Sequence, residues 1–173
     1  ADETLGSDTM KLTALAFDEW PGVLVNPELL ASFVMPNHPV VNSMIQLASQ
    51  YLDKWTKDPS LAGYQYGDPN RVKNMAAAAY AAIQQKNITY AEPPSSFESS
   101  GQRIRLADAV LDQNLGTCMD MTLLYVAWLE QMGLNPVMIL MNGHIFAGVW
   151  LIDDSFSDII TPDPSQIEKR MSK

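Results

Sequence analysis

Residues 116–133 read GTCMDMTLLYVAWLEQMG, the strongest helix signal in the chain. Thr117 and Asp120 have the spacing of a capping box, in which each side chain accepts a hydrogen bond from the other residue's backbone N–H. The following residues are apolar on nearly every side, which is typical of a buried helix. Gly133 stands where a C-terminal cap is expected. We therefore predict a buried helix that begins near Cys118 and ends at Gly133.

Cys118 falls in the first turn of this predicted helix. Free backbone N–H groups and the positive end of the helix dipole lie there, and both favour a thiolate. The negative charge of Asp120 opposes a thiolate, unless its capping role directs the carboxylate elsewhere. Cys118 is the only cysteine, so no internal disulfide supports the fold.

A β-hairpin is predicted directly after the helix. Residues 137–141 read as one strand, Asn142-Gly143 is a strong two-residue turn signal, and residues 144–152 form the return strand. Alternation directs His144 and Phe146 to one face and Ile145 to the other. Because both faces are apolar, we expect the return strand to be central in its sheet.

The remaining helix signals lie before residue 116. Asn26-Pro27 opens a helix that ends at Pro36, Asn37-His38-Pro39 opens one that continues to about Lys54, and further helices are predicted over 71–85 and 104–111. Residues 12–17 form a short strand or a helical turn, and 92–101 an irregular loop. Mainly N-terminal helices followed by strands predict an α+β fold. We expect one domain over residues 10–173, truncated at its C-terminus, after a frayed segment 1–9.

Composition restricts the classes of partner. Apolar residues make up 47% of the chain, which suffices for a core, and the formal net charge is -9, which disfavours nucleic acid. The most apolar stretch, 134–152, contains a proline and polar residues that would be costly in lipid, so no membrane span is predicted. A single cysteine fits the cytoplasm best, although a periplasmic protein can also carry one reactive thiol. We expect no cofactor and no metal, because no ligand-spacing motif is present, and the oligomeric state stays open.

Cys118 and His144, 26 residues apart, are the residue types that a thiol nucleophile needs. The imidazole takes the thiol proton and later protonates the leaving group. His38, between Asn37 and Pro39, is better interpreted as a helix cap or surface residue.

The chain resembles the transglutaminase-like superfamily in these motifs. The resemblance rests on Gly116-Thr117-Cys118-x-Asp120 and Gly143-His144, and more specifically on GQRIR at 101–105 and GHIFAGVWL at 143–151. These runs are similar to transglutaminase-like domains of large, poorly characterised bacterial proteins. The resemblance covers about residues 10–170 and is strongest over 88–152. It implies a papain-type α+β fold, with N-terminal helices and a cysteine-bearing helix packed on a C-terminal antiparallel sheet, Cys118 as nucleophile and His144 as base.

The third catalytic group departs from the superfamily pattern, in which an acidic residue follows on the next strand. Asp158 and Asp163 are candidates, and the acid could also lie beyond Lys173. For the oxyanion, the candidates are the backbone N–H of Cys118 and the side chains of Gln102, Gln113 and Asn114.

Several interpretations stay open. Trp128 and Trp150 could line a substrate groove, but core packing is the default, and Arg103 and Arg105 are better interpreted as structural ion-pair residues.

An acyl-transfer enzyme acting on a protein or peptide amide is the first hypothesis. Water as acceptor would make it a peptidase or amidase, which we favour, and an amine acceptor a transglutaminase. The alternatives are a non-catalytic binding module of a larger protein and a structural domain with an inert thiol.

Overall fold

The computed structural model describes residues 8–171. The expected frayed segment 1–9 lies largely outside the described residues, and residues 8 and 9 have no regular secondary structure. The structure is 44% helix and 12% strand, which agrees with the predicted α+β class. Six α-helices are described, together with one 3-10 helix at Pro27–Phe33: α1 Pro39–Thr56, α2 Pro69–Gln84, α3 Phe97–Ser100, α4 Ala107–Gln113, α5 Cys118–Gln131 and α6 Ser165–Met171.

Local capping chemistry sets where the N-terminal helices begin, as predicted. Asn26 accepts a hydrogen bond from the Leu29 N–H at the start of the 3-10 helix. His38 caps α1 through its ring nitrogen Nδ1, and Asp68 caps α2. Each cap is followed by proline, whose missing N–H costs nothing in the first turn. The capping role predicted for His38 is confirmed.

Helix α5 lies between two hydrophobic clusters, which explains why it is apolar on almost every side. Its residues Leu124, Ala127, Trp128 and Leu129 belong to a large cluster with α1 and α2. On the other side of α5, Cys118, Met119 and Leu123 belong to a smaller cluster, here called the cysteine cluster. The members of this cluster are Trp20, Leu30, Phe33, Phe97, Ile104, Cys118, Met119, Leu123 and Ile145. Burying a large apolar side chain stabilises the fold by about 1.5–3 kcal/mol. Burial of the cluster therefore holds the start of α5 inside the protein.

Within residues 8–171, the strands form three two-stranded ladders. β1 (Glu19–Trp20) pairs antiparallel with β3 (Gln102–Arg103), and β2 (Thr89–Tyr90) pairs parallel with β4 (Leu115–Gly116). β5 (Pro136–Met141) and β6 (His144–Val149) form the predicted hairpin around Asn142-Gly143, with Met141 opposite His144.

Two expectations about these segments are wrong. β6 is not central, because within residues 8–171 it pairs only with β5. Both faces of this segment are apolar because other parts of the chain cover them. Ile145 packs on α5, and just beyond the strand Phe156 covers Trp150. Residues 12–17 form neither strand nor helix, and most of their side chains are exposed.

Along residues 8–171, none of the helices combines the length and the apolar character that crossing a membrane requires.

Candidate functional site

Cys118 is the first residue of α5, as predicted, and is only 5% exposed. The capping box is present: Thr117 Oγ1 accepts a hydrogen bond from the Asp120 N–H at 3.3 Å, and Asp120 Oδ2 accepts one from the Thr117 N–H at 2.9 Å. These bonds satisfy two of the N–H groups that a helix start leaves free. The thiol is therefore held at a rigid, positively polarised helix end.

The carboxylate of Asp120 is fully buried and paired with Arg105. Its Oδ1 accepts the backbone N–H of Arg105 at 2.9 Å, and its Oδ2 lies 3.2 Å from the Arg105 guanidinium. The cation offsets the negative charge that would otherwise oppose a thiolate at Cys118. Arg103 pairs with Asp18 at 2.5 Å, so the structural interpretation of both arginines is confirmed.

Tyr90 is a neighbour of Cys118 that the sequence did not indicate. The parallel ladder aligns Tyr90 with Gly116, two residues before the cysteine, and the Ala91 N–H donates to the Gly116 carbonyl at 2.8 Å. Desolvation and, after it, the charge of the nearby Cys118 raise the pKa of Tyr90. The sequence contains no local signal for this contact, because a parallel pairing brings together segments that are distant along the chain.

His144 begins β6 at the tip of the hairpin. Its ring is exposed and stacks on Phe146, with centroids 6.4 Å apart and planes inclined by 25°. Ile145, between them, points the other way, into the cysteine cluster. The imidazole thus lies on the hairpin face opposite Ile145, and it makes no hydrogen bond to Cys118 in the described part of the chain.

The backbone beside His144 is nevertheless anchored next to the start of α5. Thr122, one helical turn after Cys118, donates its hydroxyl to the Ile145 carbonyl at 3.2 Å. At the turn, the Gly143 N–H donates to Glu98 Oε2 at 3.3 Å. The structure therefore brings the histidine-bearing strand to the cysteine helix without turning the imidazole towards the sulfur.

Of the three side chains predicted to bind the oxyanion, that of Gln102 is buried and those of Gln113 and Asn114 are not. Gln102 is 7% exposed, and neither its amide nitrogen nor its amide oxygen has a hydrogen-bond partner among the described residues. It lies opposite Trp20 in the β1–β3 ladder, so both side chains project from the same face, and Trp20 belongs to the cysteine cluster. Gln113 and Asn114 are exposed at the end of α4, and their side chains make no hydrogen bond within the described chain.

The two tryptophan candidates differ in their surroundings. Trp128 is 1% exposed in the large cluster, so it packs in the core and does not line an open groove. Trp150 is half-buried, with Phe156 against its ring edge at 5.1 Å and Arg170 over its face at 5.1 Å.

Asp158 and Asp163, the acidic candidates, lie on the exposed segment after the hairpin. Both line a groove beside β5 and the 3-10 helix, whereas His144 does not. Hydrogen bonds from the hydroxyl and backbone N–H of Ser165 lower the pKa of Asp163, which caps the start of α6. Neither aspartate contacts the His144 ring in the described part of the chain.

Within residues 8–171, no group of three or more His, Cys, Asp or Glu side chains is placed to hold a metal ion. Comparisons with protein-family models, with curated proteins and with solved structures gave no match to this chain.

Proposed function

We propose that this chain is a cysteine-nucleophile acyl-transfer enzyme of the transglutaminase-like, papain-type class that acts on amide bonds. The observation that carries the proposal is the position of Cys118 as the first residue of a buried helix whose nearby carboxylate is neutralised by Arg105. A helix N-terminus stabilises a thiolate, and the thiolate is the nucleophile.

In the proposed reaction, the Cys118 sulfur attacks the amide carbonyl carbon and His144 takes the thiol proton. The Cys118 backbone N–H and the Gln102 amide, which is buried without a partner among the described residues, would hold the oxyanion. The imidazolium then protonates the leaving amine as the C–N bond breaks, and an acyl-thioester remains. Water completes a hydrolysis, and an amine completes a transamidation.

This role requires the His144 ring to leave Phe146 and turn towards the α5 side of the hairpin. Two features support such a movement. His144 is the terminal residue of its strand, and its ring has no hydrogen bond to break within residues 8–171. The adjacent backbone is already anchored to α5 through Thr122.

A non-catalytic binding module is the second candidate. It is favoured by the burial of Cys118 and by the stacking of His144 on Phe146.

The rate of iodoacetamide labelling of Cys118 against pH separates the two functions. Cys118 is the only cysteine, so intact-mass spectrometry reports this site alone. An enzyme should label at a rapid, constant rate well below about pH 8.5, where an ordinary thiol titrates. His144→Ala should abolish that plateau. His38→Ala, which changes the other histidine at a helix cap, is the matched control and should retain it.

Slow labelling that follows an ordinary thiol titration and is identical in His144→Ala would reject the enzyme and favour the binding module.

A further inference from the structure

A groove of about 860 Å³ runs along the edge of β5 that faces away from β6. This volume falls within the range of about 300–1,000 Å³ that is typical of ligand sites. All six residues of β5 line it, and none of β6 does. The opposite walls are the 3-10 helix and the segment 158–164.

The register of the hairpin shows which backbone groups face this groove. Met141 and His144 flank the two-residue turn and form a hydrogen-bonded pair, so hydrogen-bonded and non-hydrogen-bonded pairs alternate from there. Leu140 and Met138 therefore occupy the alternate pairs, in which the backbone groups do not form hydrogen bonds to β6. Their N–H and C=O groups point outwards to the groove, and they have no hydrogen-bond partner within residues 8–171.

The outward position before Met138 is occupied by Pro136, which has no N–H to leave unpaired. Proline is tolerated in such an edge position. An exposed strand edge of this kind is a template for another extended chain.

Every charged residue that lines the groove is acidic, and these residues are Glu28, Glu130, Asp158, Asp163 and Glu168. Desolvation raises the pKa of Glu130, so its charged form would gain from a nearby cation. The floor is apolar at Val126 on α5, and Leu30 and Ala31 make the wall of the 3-10 helix apolar as well.

We propose that the free edge of β5 binds an extended segment of a partner polypeptide, rich in lysine or arginine alternating with apolar residues, by strand addition. Backbone hydrogen bonds to Met138 and Leu140 would supply the pairing, the acidic rim would select cationic side chains, and the apolar floor would receive the alternate side chains. A second copy of this chain is disfavoured as occupant, because each copy carries a net charge of -9. The proposal does not depend on the reactivity of Cys118.

The test is fluorescence anisotropy of the 173-residue protein with a labelled seven-residue peptide of alternating lysine and valine. Saturable binding should weaken as salt rises, and the peptide with glutamate in place of lysine should not bind. Two further peptides are N-methylated either at the lysines or at the valines. Only alternate N–H groups of a strand face its neighbour, so one version should bind about tenfold more weakly and the other should bind like the parent. Equal binding of all four peptides would overturn the proposal.

Met138→Pro removes an outward N–H without breaking a bond to β6, and it should weaken binding of the lysine peptide about tenfold. Ala147→Pro is the matched control, because Ala147 pairs with Met138 and its N–H points to the other edge of the hairpin. Circular dichroism measures whether both variants fold. If Met138→Pro does not fold, the N-methylated peptides with the wild-type protein test the proposal.

Binding that is unchanged in a folded Met138→Pro variant would overturn the proposal. So would a dimer of the peptide-free protein, detected by sedimentation, that Met138→Pro abolishes, since the edge would then bind a second copy.

Discussion

Replacing Asp120 with alanine should destabilise the protein more than any other single loss of a polar side chain at the start of α5. The Asp120 carboxylate accepts hydrogen bonds from the backbone N–H groups of Thr117 and Arg105 and from the Arg105 guanidinium. Removing one partner of a buried ion pair costs about 3–5 kcal/mol, because the other partner is left without compensation. The Arg105 side chain is 35% exposed, so water relieves part of this cost and the lower end of the range, about 3 kcal/mol, is expected.

Urea denaturation followed by circular dichroism measures this loss directly. For a domain of this size, about 3 kcal/mol corresponds to a fall in Tm of roughly 6–12 °C. Asp120→Asn, which keeps one acceptor, should fall between wild type and Asp120→Ala. Asp108→Ala is a control in the first turn of α4, where, among residues 8–171, the exposed carboxylate accepts only from the neighbouring Ala109 N–H.

A loss below about 1 kcal/mol for Asp120→Ala, the size expected of a surface pair, would refute the reasoning. It would mean that the carboxylate does not order the segment that presents Cys118.

Three further substitutions test other contacts. Tyr90→Phe removes the hydroxyl beside Cys118, where desolvation first and the Cys118 charge second raise the pKa of Tyr90, so the absorbance titration of the variant should lose a component above the ordinary tyrosine pKa of about 10. An unchanged titration curve would contradict this. Glu130→Gln should stabilise the protein at pH 7 and have little effect below about pH 4, where the carboxyl is already protonated in the unfolded chain. The pKa of Glu130 is higher in the folded protein than in the unfolded chain, so the wild-type protein loses stability as the pH rises from about 4 towards 7. Thermal denaturation of both proteins at pH 7 and at about pH 4 measures the difference. Tyr125→Phe breaks the bond from the hydroxyl to the Ala76 carbonyl at 2.9 Å, and it should lower the free energy of unfolding by about 1 kcal/mol. Burial raises the pKa of Tyr125 to about 12, so the absorbance titration of the variant should lose a component there, and retention of that component would argue against the assignment.

The position of the hairpin relative to α5 decides how the proposed chemistry is to be tested. The bond from Thr122 to Ile145 keeps the strand close to the cysteine helix, while the stack on Phe146 keeps the imidazole outside. Phe146→Ala would remove that stack and free the ring. The pH dependence of labelling in this variant, compared with wild type, would report whether the stack restrains His144.

Short-range features of the fold could be predicted from the sequence alone. The capping box at Thr117 and Asp120, the cap at His38 and the hairpin turn at Asn142-Gly143 were all predicted and are present. Each depends on residues within a few positions of one another, so local spacing determines it. The boundaries of α5 follow for the same reason, with Cys118 as its first residue.

Only the tertiary structure decided which distant groups meet. The pairing of Arg105 with Asp120 and the approach of Tyr90 to Cys118 join segments that are separated along the chain by an intervening helix or ladder. Alternation along β6 predicted that His144 and Ile145 point to opposite faces. It could not decide which of these faces α5 would cover, because that depends on the packing of the whole hairpin against the helix. Ile145 occupies the covered face and His144 the exposed one, since burying the larger apolar surface lowers the free energy more than burying an imidazole.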